Sequence, residues 1–391
     1  MSAVRDAIDP DRCTTAVQEA IRIPSVFGDE QAVGEYLAEL MRGAGLGEVE
    51  RQEVQPGRAN VIGTLDTGRP GPTLVLQGHM DTVPPGEHPE PFSGAVHDGA
   101  IWGRGASDMK GPLVAAILAV EAARRAGELA GRVIVAATVD EESEKRGMFA
   151  LVDRGLQADF GICVEPTDLR VAVAQKGCVS LRVTTHGVAA HGANPDQGVN
   201  AIRKLARIVE AIEAAELPAV EIAGVGPVTG TYNVGVIAGG QMFFIVPDRA
   251  SIWVDRRTTP AETQDEALAA LRALVHAIDP EAEVEVDRQD WSWPRIRERG
   301  IGSCSVERDS PVVRAVVDGV AQATGRPAEL YVQTAWCETD FLVNDLGIPT
   351  VNLGPGRMEL AHTSTEHIAI DSLLAGVEAL ALAVRSICAP S

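Results

Sequence analysis

Short apolar strands alternate with helices along the first 165 residues, and this alternation constrains the fold most strongly. Residues 132–139 are apolar on both faces of an extended chain, which is typical of a strand inside a sheet. Residues 60–65, 73–77 and 160–164 have the same character, and residues 111–125 form an Ala- and Leu-rich helix. The order predicts an α/β sheet covered by helices on both faces.

A different pattern begins near residue 175. Strands and helices follow in the order β-α-β-β-α-β, which is the split βαβ arrangement of a small α+β domain, at residues 179–185, 200–215, 231–237, 250–256, 264–278 and 282–286. Helical and buried-strand patterns then return at residues 312–324, 350–353 and 370–389. We therefore expect a discontinuous domain, residues 1–178 and 298–391, with an inserted domain at residues 179–297.

Length and charge limit the possible functions. The 391 residues are enough for two domains. The net charge of −21 repels phosphate backbones and anionic lipids, which speaks against a nucleic-acid or membrane partner. The N-terminus has no apolar run typical of a signal peptide, and no stretch is apolar enough to span a bilayer. The six cysteines are scattered without a CxxC pair, so we expect free thiols and a cytoplasmic protein.

Two segments carry the first candidate metal ligands. GHMDTVP, at residues 78–84, follows an apolar strand and places His79 and Asp81 on one side of an extended chain. Histidine is a good zinc ligand and a nearby carboxylate can orient it, although a polar loop would look the same. GRGASDMKG, at residues 103–111, could place Asp108 beside a ligand. Alone, the segment is better explained by Ser107 or Asp108 capping the next helix.

Three further segments follow apolar strands. Asp140, Glu141 and Glu142 repel one another unless a cation is present, and adjacent carboxylates can divide metal binding from proton transfer. Glu165 follows another strand, and His362 lies after the motif GPG at residues 354–356. His367 is a decoy in our interpretation, because its offset from His362 is neither strand-like nor helical. The absence of a cysteine ligand cluster favours a catalytic over a structural zinc site.

Five motifs in this order resemble the zinc-dependent aminoacylase/carboxypeptidase family, which includes acetylornithine deacetylase, succinyl-diaminopimelate desuccinylase and glutamate carboxypeptidase. The motifs are GHMDTVP, GRGASDMKG, ATVDEES, VEPT and GPG…AHTSTEHI. The resemblance covers nearly the whole chain. It implies a mixed central sheet in a zinc-peptidase-like catalytic domain, a ferredoxin-like inserted domain and a homodimer formed through that inserted domain.

The resemblance also implies roles for residues of the catalytic domain. His79 and Glu165 would hold one divalent ion, Glu142 and His362 would hold a second, and Asp108 would bridge the two. Asp81 would orient His79, and Glu141 would be the general base. The ions would most simply be zinc, with cobalt or manganese as alternatives because the same ligands accept several metals.

In the inserted domain, GVAAHG at residues 187–192 resembles the family segment whose histidine stabilises the oxyanion, which implies that role for His191. Asn233 and Arg257 resemble its substrate-carboxylate segment, and we also expect Gly356 to contribute to substrate binding. The loop at residues 336–341 departs from the family pattern, and so does the charged stretch Glu144, Lys145 and Arg146. These departures affect specificity rather than the metal site.

The sequence therefore predicts a di-zinc amidohydrolase that cleaves the amide bond of a small N-acyl amino acid with a free carboxylate. A dipeptidase or carboxypeptidase of the same family is the first alternative. A non-catalytic binder of amino-acid derivatives is the second, although neither Glu141 nor a metal ligand is missing. A zinc aminopeptidase is the third, and the inserted domain speaks against it.

Overall fold

Two compact units make up the chain in this computed structural model, which describes residues 3–287 and 292–390. The first unit contains residues 3–174, 305–333 and 337–390. The second unit contains residues 175–287, 292–304 and 334–336. The functional division into a catalytic domain and an inserted domain at 178/179 and 297/298 stays a prediction.

The described residues form helices of very different length. They are α1 (Ala3–Ala7), α2 (Pro10–Arg22), α3 (Gln31–Gly43), α4 (Lys110–Arg125), α5 (Arg146–Arg154), α6 (Ala201–Glu213), α7 (Gln264–His276), α8 (Pro294–Arg299), α9 (Pro311–Thr324) and α10 (Ile370–Ile387). Short 3-10 turns lie at Pro195–Gln197 and Met358–Leu360, and a π-helical turn lies at Phe341–Asp345. In the described part of the chain, no helix is long and apolar enough to cross a bilayer.

The strands are distributed over four sheets. They are β1 (Glu48–Gln55), β2 (Arg58–Asp66), β3 (Thr73–His79), β4 (Ala95–His97), β5 (Ala100–Trp102), β6 (Arg132–Thr138), β7 (Phe160–Cys163), β8 (Val171–Gln175), β9 (Gly177–His186), β10 (Ala219–Ile222), β11 (Gly226–Thr229), β12 (Thr231–Gly239), β13 (Arg249–Thr258), β14 (Glu283–Val286), β15 (Cys304–Ser305), β16 (Leu330–Gln333), β17 (Thr350–Asn352) and β18 (His367–Ala369).

A mixed nine-stranded sheet forms the centre of the first unit, which confirms the predicted fold class. Its order is β1-β2-β6-β3-β7-β17-β8-β15, and β16 pairs with β8. The four middle strands β6, β3, β7 and β17 run parallel, whereas β1, β2 and β8 pair antiparallel. Helix α4 is buried along almost its whole length and packs on β3 and β6, while α9 packs on β7 and β17. The parallel strands therefore end at one common edge.

The second unit is a two-layer α+β structure. Its antiparallel sheet has the order β12-β13-β9-β14, and helices α6 and α7 pack on it. Helix α7 begins with a capping box, in which Thr263 and Glu266 bond to each other's backbone N–H groups. This agrees with the ferredoxin-like fold that the resemblance implies. The hairpin β10–β11 was not predicted.

A buried ion-pair network fixes the first residue of the acidic segment at residues 140–142. The Arg58 guanidinium donates to Glu30 at 2.5 Å and to Asp140 at 2.6 Å. Both carboxylates are almost fully buried, with side-chain exposures of 0% and 2%. Asp140 also adopts a left-handed backbone conformation, with φ of 70°. Few residues other than glycine adopt this conformation, and the side-chain bonds of Asp140 help to hold it.

Replacement of Arg58 should destabilise the fold because it leaves two buried carboxylates with less compensation. We expect Arg58→Met to lower the free energy of unfolding by about 3–5 kcal/mol. The matched control is Arg154→Met, which removes an exposed pair with Glu50 and should cost about 1 kcal/mol or less. Urea unfolding measures both variants. Equal losses in the two variants would contradict a structural role for the buried network.

Candidate active site

The parallel strands of the first unit deliver four of the five predicted segments to one sheet edge. His79 is the last residue of β3, Glu141 and Glu142 follow β6, and Glu165 follows β7. The fourth of these segments, at residues 354–356, follows β17. Because parallel strands end together, these side chains converge where open α/β sheets bind their ligands.

His79 is held in one orientation by its own segment. Its Nδ1 lies 2.9 Å from the backbone carbonyl oxygen of Asp81 and 3.6 Å from the Asp81 carboxylate. A proton on Nδ1 satisfies the carbonyl and leaves a lone pair on Nε2. That second nitrogen lies 3.2 Å from Asp108 Oδ1, so the ring presents the atom that a metal would need.

The Asp81 carboxylate binds the turn that follows β6 more closely than it approaches His79. Its two carboxylate oxygens accept the backbone N–H groups of Glu141 at 3.1 Å and Glu142 at 2.9 Å. Burial raises the pKa of Asp81 to about 7. The backbone carbonyl of Asp81 therefore orients His79, whereas the carboxylate of Asp81 positions the turn that carries Glu141 and Glu142.

Asp108 lies between the two predicted histidine ligands. Its Oδ1 faces His79 Nε2 at 3.2 Å, and its Oδ2 faces His362 Nε2 at 3.3 Å. The helix-capping alternative is wrong, because α4 has no side-chain cap and Ser107 bonds to the backbone of Arg357 instead. A carboxylate with one oxygen turned to each histidine has the arrangement of a bridging ligand.

Glu366 is a positioning residue that the sequence did not reveal. Its buried Oε1 accepts the backbone N–H groups of Gly105, Ser107 and Asp108 at 3.0–3.1 Å. Its Oε2 pairs with the buried guanidinium of Arg104. This carboxylate therefore shapes the loop that carries Asp108, and the only sequence signal was an acid within the His362 motif.

Glu142 and His362 form the second side of the cluster. His362 Nε2 lies 3.0 Å from Glu142 Oε1, and the imidazole is half exposed. Hydrogen bonds to Asp108 and Glu142 raise the pKa of His362 to about 10. His362 also has a left-handed backbone, with φ of 63°. By contrast, His367 lies in β18 and stacks on Trp102, as expected for a histidine outside the cluster.

Glu165 is a buried carboxylate with two cysteines beside it. Burial, followed by the nearby charge of Asp108, raises its pKa well above the usual range. The Sγ atoms of Cys163 and Cys337 and a carboxylate oxygen of Glu165 lie within 4.8 Å of one another. The expectation that no cysteines cluster is therefore wrong, because residues far apart in sequence meet at this edge. All six cysteines are free, as predicted, and the structure shows that they are also buried.

Glu141 reaches the cluster from the turn after β6. Its Oε2 lies 3.9 Å from His79 Nε2, and its Oε1 accepts a hydrogen bond from Lys145 at 2.5 Å. Glu338, in the unusual loop at residues 336–341, is turned toward the strands, where Thr138 donates to it at 2.7 Å and Gln77 also donates. Glu141 is thus near the histidine, while Glu338 is bound to the sheet.

The donor set fits a centre of two divalent cations. His79, Asp108 and Glu142 present ligand atoms within 4.8 Å of one another, and His362 and Glu165 lie beside them. Buried carboxylates repel one another without a positive partner. Imidazole and carboxylate donors suit zinc, cobalt and manganese.

The remaining predicted residues have these positions. In the second unit His191 is exposed, and its Nδ1 accepts the backbone N–H of Ala193 at 3.0 Å, so a neutral ring carries its proton on Nε2.

The residues predicted to bind substrate lie in both units. In the second unit Asn233 is exposed on β12. Arg257 pairs with Asp255 at 3.0 Å. In the first unit Gly356 is buried with φ of 87°, and a Cβ there would lie 2.7 Å from Ser107 Oγ. Their substrate roles stay predictions.

Comparison with known proteins places these features in a family. Residues 75–386 match the profile of peptidase family M20/M25/M40. The chain is 29% identical over 376 residues to the protein YgeY of Escherichia coli (strain K12), covering 90% of this chain and 89% of that protein. It is 31% identical over 329 residues to acetylornithine deacetylase of Myxococcus xanthus, covering 81% and 80%.

A solved structure shares the fold. The aminopeptidase PepT from Bacillus cereus ATCC 10987 superimposes with a TM-score of 0.79 and 23% identity, covering 97% of this chain and 99% of that one. The family profile spans most of the chain and includes all five motifs from residue 78 onward. The chain therefore belongs to peptidase family M20/M25/M40 and is a hydrolase of amide or peptide bonds.

Proposed function

We propose that this chain is a di-zinc amidohydrolase that cleaves the amide bond of a small N-acyl amino acid. The observation that carries the proposal is the position of Asp108, which has one carboxylate oxygen facing His79 and the other facing His362. His79 and Glu165 would hold one ion, and Glu142 and His362 the other. The similarity to an acetylornithine deacetylase supports a deacylase, whereas a dipeptidase is the alternative.

The residues of the chain divide the reaction between them. When bound, the metal ions would polarise the scissile carbonyl and acidify a water molecule. Glu141 takes a proton from that water and delivers it to the leaving nitrogen, which gives a carboxylate and an amine. His191 donates its Nε2–H to the oxyanion. Arg257, oriented by Asp255, binds the substrate carboxylate with Asn233. Gly356 helps to shape the substrate site.

We also propose that the protein is a cytoplasmic homodimer. Six free, buried thiols are consistent with a reducing compartment. Strand β12 is the outermost strand of its sheet and is largely exposed, and Phe243 just beyond it is 99% exposed. Exposed strand edges and apolar patches favour pairing with another chain. A dimer through this unit would bring His191 to the neighbour's active site.

A substrate panel with metal removal tests the main proposal. N-acyl amino acids should release free amine faster than dipeptides, and acylated amines without a carboxylate should react poorly. Prolonged chelation should abolish turnover, and zinc or cobalt should restore it. Full activity without metal by elemental analysis would end the two-metal proposal. Faster dipeptide cleavage would favour the alternative, and binding without turnover of any substrate would favour a non-catalytic binder.

Neutral substitutions should separate the base from the ligand at adjacent positions. Glu141→Gln keeps the size of the side chain and removes the base, so metal content should persist while kcat falls by ~10²–10⁴. Glu142→Gln should instead lower metal occupancy, because this carboxylate approaches His362. Elemental analysis and steady-state kinetics measure both effects. Metal loss in Glu141→Gln but not in Glu142→Gln would reverse the assignment.

Complementation should show whether His191 acts across a dimer. His191→Ala and Glu141→Gln are each expected to be nearly inactive, the former because loss of an oxyanion donor costs ~10²–10³ in kcat. After mixed refolding, about half of the dimers contain both variants, and roughly a quarter of all sites should be intact. Differently tagged chains measure the mixed fraction. Mixed dimers without recovered activity would mean that His191 acts within its own chain or not at all.

A further inference from the structure

Lys145 is a fully buried lysine next to the proposed base. Its side chain is 1% exposed, and its Nζ donates to the backbone oxygen of Glu141 at 2.8 Å and to Glu141 Oε1 at 2.5 Å. Lysine is among the residue types least often fully buried, because its ammonium group loses hydration there. Such burial persists only where the charge is compensated, and the Glu141 carboxylate compensates it.

The backbone around Lys145 brings its side chain back over the preceding turn. Lys145 has a left-handed conformation with φ of 55°, and its N–H donates to the Asp140 carbonyl at 2.6 Å. The backbone is also closely packed at Gly147, where a Cβ would lie 2.5 Å from the backbone oxygen of Val139. Left-handed residues other than glycine are uncommon and are held by their surroundings. This left-handed backbone, at the residue before α5, thus places the Lys145 side chain beside Glu141.

The contact gives the two oxygens of Glu141 different environments. Oε1 is bound to the ammonium group, while Oε2 faces His79 Nε2 at 3.9 Å. The backbone N–H of Glu141 is held separately by Asp81. Burial by itself would lower the pKa of Lys145, but the carboxylate of Glu141, followed by that of Glu338, raises it above its ordinary value.

We propose that Lys145 is a positioning residue, which holds Oε1 of Glu141 so that Oε2 faces the reacting water. This inference rests on the proposed function of Glu141 as base. The next cation in sequence has a different partner, because Arg146 approaches Asp140 at 3.5 Å. Lys145 therefore acts on the orientation of the base, and its loss should affect the chemical step more than substrate binding.

The first test compares Lys145→Met with Arg146→Met. Lys145→Met should lower kcat by ~10–10² through misplacement of the base, with KM and metal content changed by less than about twofold. Arg146→Met removes a charge one residue away and should leave kcat within about twofold. A propylammonium ion should partly restore kcat in Lys145→Ala, whereas tetramethylammonium, which has no N–H donor, should not. Unchanged kcat in Lys145→Met would overturn the proposal.

A double-mutant cycle shows whether Lys145 acts through Glu141. In a Glu141→Gln background, Lys145→Met should lower kcat no further, because the carboxylate that it positions is already gone. A further tenfold loss in the double variant would mean that Lys145 acts elsewhere, and would overturn the proposal. This comparison also applies if Lys145→Met alone fails to fold, since the double variant removes both charges of the buried Lys145–Glu141 pair.

The outcomes for Lys145 and for the proposed function can be separated. If Glu141→Gln keeps full activity on the substrate panel, the assignment of Glu141 as base is wrong, whatever Lys145 does. If Glu141→Gln is inactive but Lys145→Met is fully active with normal metal content, the base assignment stands and the positioning role is wrong. Circular dichroism of each purified variant confirms that folded proteins are compared.

Discussion

The buried carboxylate of Glu366 is the constraint on which the rest of the centre depends. It gathers three backbone N–H groups and the Arg104 guanidinium from a loop more than 250 residues earlier in the chain. Charge-assisted bonds of this kind are stronger than neutral ones. Because Asp108 ends that loop and His362 shares a segment with Glu366, one carboxylate fixes Asp108 relative to His362.

The electrostatics of the sheet edge follow from this arrangement. The strand ends and the Asp108 loop bring several carboxylates into one small buried region, and burial raises the pKa of Asp81, Glu142 and Glu165. Carboxylates held so closely favour either protonation or a cation. Bound divalent ions would supply that charge and keep the carboxylates ionised. Lys145 is a buried cation at this edge, and it contacts Glu141, the acid that we do not assign to a metal.

Much of the fold and of the centre could be predicted because it depends on local patterns. Apolar runs revealed β3, β6 and β7, and the polar residues after them revealed His79, Glu141 and Glu165. Strand β1 was missed because its sequence, EVERQEVQ, is charged and only partly buried, as befits the outermost strand of a sheet.

Contacts between distant segments left no such pattern. Nothing in the local sequence links Glu366 to the loop at residues 103–108, or Cys337 to Cys163, because these pairs are joined only when β7, β17 and their loops assemble. The resemblance to a family implied a bridging role for Asp108, where local reasoning alone favoured a helix cap. Local sequence patterns thus predicted where the strands end. The hydrogen bonds of Glu366 and the contact between Cys163 and Cys337 could be found only in the tertiary structure.

Two adjacent glutamates can take different roles because their surroundings differ within one turn. Asp81 holds both backbone N–H groups, and the left-handed Asp140 directs the chain away from β6. Beyond that common support, Glu142 approaches His362 at 3.0 Å, whereas Glu141 is bound to Lys145 at 2.5 Å. An acid beside imidazole and Asp108 shares the environment of a metal ligand. Because an ammonium group holds one oxygen of Glu141, the other oxygen faces His79 and stays free for the proton transfer that we propose.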